Sequence, residues 1–232
     1  GMKAGFPQAA AIQKTLALYD TTIGKKALMA VTGLVLYGFV IGHMLGNLQI
    51  FLGREAINAY AAFLKGTPAL LWGTRIALLV STVLHVHAAV SLVSRSAEAR
   101  QAGYRSKKNA ATTYAATTMK FGGPALLFFI LFHLAHLTFP GVAMGGYAHS
   151  QLDVYANMIN GFSVPWVAGL YVVAMVFLGL HLYHGSWSLL QTLGLSHPRY
   201  NATRKLVAQS IGIAVPAGNI LIVLSVLAGI VR

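Results

Sequence analysis

The chain has 232 residues, of which 56% are hydrophobic and only 9% are charged, with 17 Lys and Arg against 4 Asp and Glu. Soluble domains carry about 25% charged residues, so this composition indicates an integral membrane protein. The absence of cysteine excludes disulfides, iron–sulfur clusters and covalent CxxCH haem attachment, and leaves the nine histidines as the strong candidate metal ligands. The net charge of +13 is attributed to membrane topology rather than to nucleic-acid binding.

The apolar residues form five stretches, each about as long as the ~20 residues that cross a bilayer, or longer. Residues 1–24 form a mixed lead-in without a recognisable signal peptide, and residues 54–67 are predicted as a short amphipathic helix at the membrane interface. A polar, basic loop covers 95–120, and a polar connection covers 141–162. The predicted spans are 27–52, 68–93, 121–139, 162–193 and 206–231. The predicted fold is therefore all-α, a single domain with five transmembrane helices, of which the first four form a bundle.

Lys and Arg are distributed unequally between the two sides of such a protein. With five spans, 13 of the 17 fall on the side of the N-terminus, and 4 fall on the other side. Because loops rich in Lys and Arg remain in the cytoplasm, the N-terminus is predicted to be cytoplasmic. The C-terminus is predicted to emerge on the opposite side of the cytoplasmic membrane, called the outer side below.

Histidine occurs inside each of the first four predicted spans and is missing from the fifth. These histidines are His43 in span one, His85 and His87 in span two, His133 and His136 in span three, and His181 and His184 in span four. For a single intramembrane histidine, a polar contact between helices or a proton relay is as good an explanation as a cofactor ligand. Ionisable groups at four successive helices favour a cofactor in the bundle interior.

Depth along the helices sorts these histidines into two groups, at a rise of ~1.5 Å per residue. His43 and His133 lie ~25 and ~20 Å from the predicted cytoplasmic edge, whereas His85 and His184 lie ~15 Å from it. The pattern predicts two bis-imidazole sites, one deep and one shallow, stacked across a four-helix bundle. Zinc is disfavoured because its ligands would have to converge at one depth.

Haem b fits these sites, since it needs two axial nitrogens and an apolar slot but no covalent link. Small residues beside the histidines would admit a flat macrocycle or, alternatively, serve helix packing. They are Gly42, Gly46, Ala88, Ala89, Gly185 and Ser186. Geometry alone leaves open which histidine of each doublet is the ligand. The two in span two are about 200° apart around a helix, so only one can face the bundle, whereas the doublets of spans three and four each share a face.

Five stretches of the chain are specific when they are taken together. They are IGKKALMAVTGLVLYGFVIGHMLGNLQIF (23–51), EAINAYAAFLK (55–65), LHVHAAVSL (84–92) with Arg95 after it, FHLAHLTF (132–139) and LHLYHGSWSLLQTLG (180–194). They resemble the single-chain, five-helix, dihaem cytochrome b membrane-anchor subunit of succinate:quinone oxidoreductases, which act as succinate dehydrogenase or fumarate reductase. The resemblance covers nearly the whole chain.

The resemblance implies that His43 and His133 bind the iron of the deep haem and that His85 and His184 bind the iron of the shallow haem. It also implies a flavoprotein subunit and an iron–sulfur subunit on the cytoplasmic face, which interconvert succinate and fumarate. Electrons would pass between them and membrane quinone, with menaquinone favoured. The chain would then be a respiratory-chain and tricarboxylic acid cycle component without catalytic residues for succinate, in a complex that can associate beyond one copy.

Three charged residues on the outer side have alternative roles. Glu55 and Asp153 are the only acids there, and each is either a proton carrier for quinone near the deep haem or a solvated loop carboxylate. Arg75 either pairs with propionates of the deep haem or extends to the membrane interface.

Other functional classes make different predictions. The dihaem cytochrome b anchor of another quinone-linked enzyme, such as a nitrate reductase, formate dehydrogenase or hydrogenase, would bind haem in the same way but carry different soluble subunits. A histidine-lined proton or metal transporter would bind no haem and is expected to carry acids along its membrane path, which these spans nearly lack. A structural anchor with vestigial histidines would bind no haem either.

Overall fold

The structure, a computed structural model, describes residues 17–98, 114–139, 146–195 and 197–232. Over these residues the chain is all-helical and contains no strand. The helices are α1 (Thr22–Asn47), α2 (Arg54–Gly66), α3 (Pro68–Glu98), α4 (Tyr114–Leu137), α5 (Val154–Phe162), α6 (Pro165–Thr192) and α7 (Asn201–Leu227), with short 3-10 helices at Leu48–Leu52 and Pro198–Tyr200.

Five helical segments are long and apolar enough to cross a membrane. They are Thr22–Leu52, Pro68–Glu98, Thr118–Leu137, Pro165–Thr192 and Pro198–Leu227. The predicted all-α class and multi-pass membrane character are therefore confirmed at this level. Most of the predicted basic loop 95–120 and the first residues of the predicted polar connection 141–162 lie outside the described residues.

Local chemistry sets several helix boundaries. The Thr21 hydroxyl accepts a hydrogen bond from the backbone N–H of Gly24 at 2.9 Å and so caps the start of α1. Gly53, at φ 102°, provides the left-handed backbone that ends the first span and leads into α2. Pro165 occupies the first turn of α6, where its missing N–H would have had no partner in the helix.

The fourth span begins three residues later than its predicted start at residue 162. The side chain of Asp153 accepts a hydrogen bond from the backbone N–H of Ala156 and thereby caps the separate short helix α5, which ends at Phe162. Only Phe162 of the predicted span belongs to α5, the rest of which lies in the predicted polar connection 141–162.

The spanning helices pack unevenly. α6 packs most closely against α7, where a Cβ at Gly179 would lie 2.7 Å from the carbonyl oxygen of Gly212. Small residues allow membrane helices this close approach. α1 packs against α3, and α4 packs against α6. Over the described residues α1 and α4 do not pack closely against each other, nor do α3 and α6, nor α3 and α4. The bundle is therefore loose between the helices whose histidines are predicted to share a site, α1 with α4 and α3 with α6.

Asp153 joins α5 to α2 at the predicted outer surface. Its carboxylate accepts hydrogen bonds from Nδ2 of Asn58 at 2.9 Å and from Nη1 of Arg54 at 3.1 Å, in addition to the capping bond. These contacts, of which the hydrogen bond from Asn58 is the largest, hold the pKa of Asp153 below its ordinary value. Asp153 therefore has a structural role in this surface.

We expect Asp153→Asn to lower the melting temperature in detergent at neutral pH by about 1–3 °C, the size expected for a largely exposed ion pair. Because the folded-state pKa of Asp153 is lowered, its stabilising effect is present above the unfolded-state value of about 3.9 and is lost as the pH falls through the folded-state value. The difference from the wild type should therefore shrink as the pH falls below the unfolded-state value of about 3.9. A difference that stays equal from neutral pH into this acid range would show that the charge of Asp153 contributes nothing.

Candidate bis-histidine sites

His43 of α1 and His133 of α4 face each other near the outer ends of their helices and are called the deep pair. Their ring centroids are 5.7 Å apart and their planes are inclined at 84°. Phe39 stacks on His43 at 5.2 Å, and Phe129 stacks on His133 at 5.9 Å. Each phenylalanine precedes its histidine by four residues and so lies on the same helix face. The deep pair therefore has apolar walls supplied by its own helices.

The contacts of the deep pair distinguish the two histidines of α4. Nδ1 of His133 lies 3.0 Å from the hydroxyl of Tyr171 on α6, which leaves Nε2 of His133 free for a metal. His136 is fully buried, and its ring packs against Phe162 at 5.9 Å rather than against His43. The geometry thus favours His133 as a ligand, in the position that the sequence predicts.

His85 of α3 lies beside His181 of α6, with ring centroids 6.2 Å apart and planes inclined at 59°. Nδ1 of His85 is 3.2 Å from the hydroxyl of Thr32, which itself donates to the carbonyl oxygen of Leu28 at 2.7 Å. His85 therefore donates through Nδ1 and keeps Nε2 free. His85 and His181 are called the shallow pair. The structure brings His181, rather than the predicted His184, beside His85.

His87 lies on the other side of α3 from the shallow pair. Its Nδ1 is 2.6 Å from the hydroxyl of Tyr19, and the two rings stack at 6.1 Å. This arrangement follows from the angle of about 200° between residues two positions apart on a helix. His87 is engaged away from the bundle interior, so the geometry favours His85 as the candidate ligand of α3.

The two histidine pairs form two layers in the bundle. The distance between these layers is the same whether it is measured along α1 or along α6. On α1, Gly33 contacts His85, because a Cβ there would lie 3.3 Å from Cε1 of that ring. Gly33 is ten residues from His43, or ~15 Å along the helix. On α6, Tyr171 contacts His133 and is ten residues from His181, again ~15 Å.

The residues present fit a flat, six-coordinate iron group. A haem iron takes two further ligands from the protein, on opposite sides of the macrocycle. At metal–imidazole distances of about 2 Å, the centroids of two such rings lie roughly 6 Å apart, close to both observed separations. A Cβ at Gly185 would meet nothing within 4 Å, so this half-buried position borders open space, whereas Gly42 is equally uncrowded but exposed. Among the described residues no three His, Cys, Asp or Glu side chains group as a metal site of their own.

Other small residues near the histidines have packing partners instead. A Cβ at Gly46 would lie 2.7 Å from the ring of Tyr60, so this glycine admits the interfacial helix α2. Ala88 is fully buried, and the hydroxyl of Ser186 is 3.0 Å from that of Tyr37 on α1. These residues serve contacts between helices, which is the alternative that the sequence left open.

Three residues of these sites were not identified from the sequence, namely Thr32, Gly33 and Tyr171. Thr32 precedes His43 by 11 residues, or three helical turns, so its position on the histidine-bearing face was a usable signal. Tyr171 had no such signal, because a tyrosine in an apolar span is equally typical of simple packing.

The remaining outer charges take up interface positions. Glu55 is exposed in the first turn of α2. Arg75 is also exposed, and its guanidinium lies 5.0 Å from the ring centroid of Trp72, a pairing typical of the membrane boundary.

No family model, no curated protein and no solved structure matches this chain. Its function is therefore inferred from the residues described above.

Proposed function

We propose that this protein is the membrane anchor and electron-transfer subunit of a succinate:quinone oxidoreductase, with two b haems in the bundle. The observation that carries the dihaem part is the presence of two facing histidine pairs, at 5.7 and 6.2 Å, in layers ~15 Å apart. The assignment to succinate chemistry rests on the resemblance of the five stretches quoted above.

The proposed axial ligands are His43 and His133 for the deep haem and His85 with one histidine of α6 for the shallow haem. The ring separation favours His181 as the partner of His85, whereas the resemblance assigns His184. Bound haem would supply one-electron redox chemistry, and the protein would supply the axial nitrogens, hydrogen-bond partners for His133 and His85, and a water-excluding shell.

The partners proposed are a flavoprotein subunit and an iron–sulfur subunit on the cytoplasmic face, together with membrane quinone. The excess of Lys and Arg on the side of the N-terminus supports the cytoplasmic orientation of that face. Of the two outer acids, Glu55 is the better candidate proton carrier for quinone, because Asp153 is held by three hydrogen bonds. The favoured quinone is menaquinone, as the resemblance implies.

Purification of the intact complex from native membranes in mild detergent tests this proposal. We expect a flavin-containing protein and an iron–sulfur protein to copurify, succinate to reduce b-type haem absorbance, and fumarate to reoxidise it. Reduction by formate or hydrogen but not by succinate would identify a different quinone-linked enzyme. A haem-free protein that moves protons or metal ions across liposomes would identify a transporter and contradict the proposal.

A further inference from the structure

Tyr171 joins the two histidines of α4 at the deep site. Its hydroxyl lies 3.0 Å from Nδ1 of His133 and 2.9 Å from Nδ1 of His136. The tyrosine is only 4% exposed, and the rings of Phe129 and Phe162 contact it edge-on, each at 4.9 Å. Packing therefore fixes the phenol between the two imidazoles.

The direction of both hydrogen bonds follows from the chemistry of the three groups. A phenol can donate only one hydrogen bond, so at least one histidine must donate to Tyr171. If both donated, the buried phenol proton would have no acceptor, so the other histidine accepts it. A histidine that binds a metal through Nε2 carries its proton on Nδ1, so His133 donates to the phenol oxygen. The Tyr171 hydroxyl must then donate to Nδ1 of His136, and the neutral His136 carries its own proton on Nε2.

Three buried polar atoms on the side of His136 away from Tyr171 have no hydrogen-bond partner among the described residues. They are Nε2 of His136 itself, the hydroxyl of Tyr147 and Nδ1 of His149. The first two converge on Gly161, where a Cβ would lie 2.5 Å from Nε2 of His136 and 3.2 Å from the Tyr147 hydroxyl. Buried polar atoms in native proteins are paired, with ordered water where no protein group reaches them. The absence of a side chain at Gly161 thus lets the ring of His136 and the hydroxyl of Tyr147 pack closely against the same point of α5.

We propose, on the basis of the proposed function, that Tyr171 is a positioning residue that lowers the reduction potential of the deep haem. The hydrogen-bond chain runs from His133 to Tyr171 and then to His136. A phenol oxygen whose own proton is engaged is a stronger acceptor for His133, because successive hydrogen bonds polarise one another. A ligand imidazole that donates strongly becomes more basic, which stabilises the oxidised iron.

The shallow pair offers an internal comparison. His85 donates to Thr32, an aliphatic hydroxyl whose proton goes to a backbone carbonyl rather than to a second imidazole. Within the part of the chain that the structure describes, a tyrosine–imidazole chain contacts a histidine of the deep pair and none of the shallow pair, so its removal should affect one haem and not the other.

Redox titration of the intact complex carrying Tyr171→Phe tests this inference. We expect the oxidised-to-reduced ratio of the deep haem at a fixed potential to fall about tenfold, an upward shift of about 59 mV for a one-electron couple. The shallow haem should not shift. His136→Phe should shift the same haem in the same direction but by less, because His133 then still donates to Tyr171.

Tyr183→Phe is the matched control, since it removes a hydroxyl from the same helix at a residue that packs against Gly212 of α7. We expect no shift in either haem. Two haems with unshifted potentials in both Tyr171→Phe and His136→Phe would overturn the inference and leave the proposed function standing. Absence of haem from the wild type would overturn both. If Tyr171→Phe fails to retain the deep haem, the potential of that haem in His136→Phe decides.

Discussion

Replacement of His43 or His133 by alanine is expected to remove the same single haem, about half of the total. The two rings face each other at 5.7 Å across helices that do not pack closely, so each supplies one side of one site. Loss of either nitrogen leaves five-coordinate iron with one protein ligand, which the surrounding apolar side chains do not replace. Pyridine haemochrome content per chain and the number of redox transitions measure this loss.

The double variant His43→Ala/His133→Ala should lose no more haem than either single variant. Groups that act on one site are strongly non-additive, whereas ligands of separate sites would add. His87→Ala serves as the control, because its ring bonds to Tyr19 on the other side of α3, and it should retain both haems. Loss of all haem in the double variant but of half in each single variant would show that His43 and His133 belong to different sites.

At the shallow site, His85→Ala is expected to remove the other haem, and His181→Ala is expected to remove that same haem. The reason is the 6.2 Å separation of their ring centroids, the same relation that defines the deep pair. His184→Ala should retain both haems. Haem content and the identity of the remaining redox transition in each variant provide the measurement.

The opposite pattern at the shallow site has a defined meaning. Residues three positions apart on a helix differ by ~60° in direction and ~4.5 Å in height, so a modest rotation of α6 would exchange His181 for His184. Loss of haem in His184→Ala with retention in His181→Ala would assign the ligand as the resemblance does. Retention of both haems in the double variant His181→Ala/His184→Ala would exclude α6 as the source of a ligand.

The sequence predicted best those features of the fold that depend only on hydrophobic periodicity and on residue spacing along a helix. Five apolar runs predicted five candidate spans, and helical rise predicted which histidines lie at similar depth. The sequence could not show which side chain of α6 turns towards His85, because this depends on the rotation of α6 set by its close contact with α7. Tyr171 was unpredictable for the same reason: its contact with His133 depends on the crossing of α4 and α6. Gly46 could not be distinguished from Gly42 without the position of Tyr60.

The charged residues illustrate a second limit. Asp153 and Glu55 are both acids of the outer side, and the sequence offers the same two roles for each. Only the positions of Arg54 and Asn58 on α2 show that Asp153 fastens two helices, whereas Glu55 is exposed. Contacts between segments almost 100 residues apart along the chain decide such roles.

The most direct test of the dihaem proposal is a dithionite-reduced minus oxidised absorption spectrum of the purified chain, combined with a haem count per polypeptide. Two b-type haems per chain, titrating as two separate one-electron transitions, are the predicted result. A chain that folds in detergent and binds no haem would contradict the electron-transfer function and leave the histidines to a transporter or to a bare anchor.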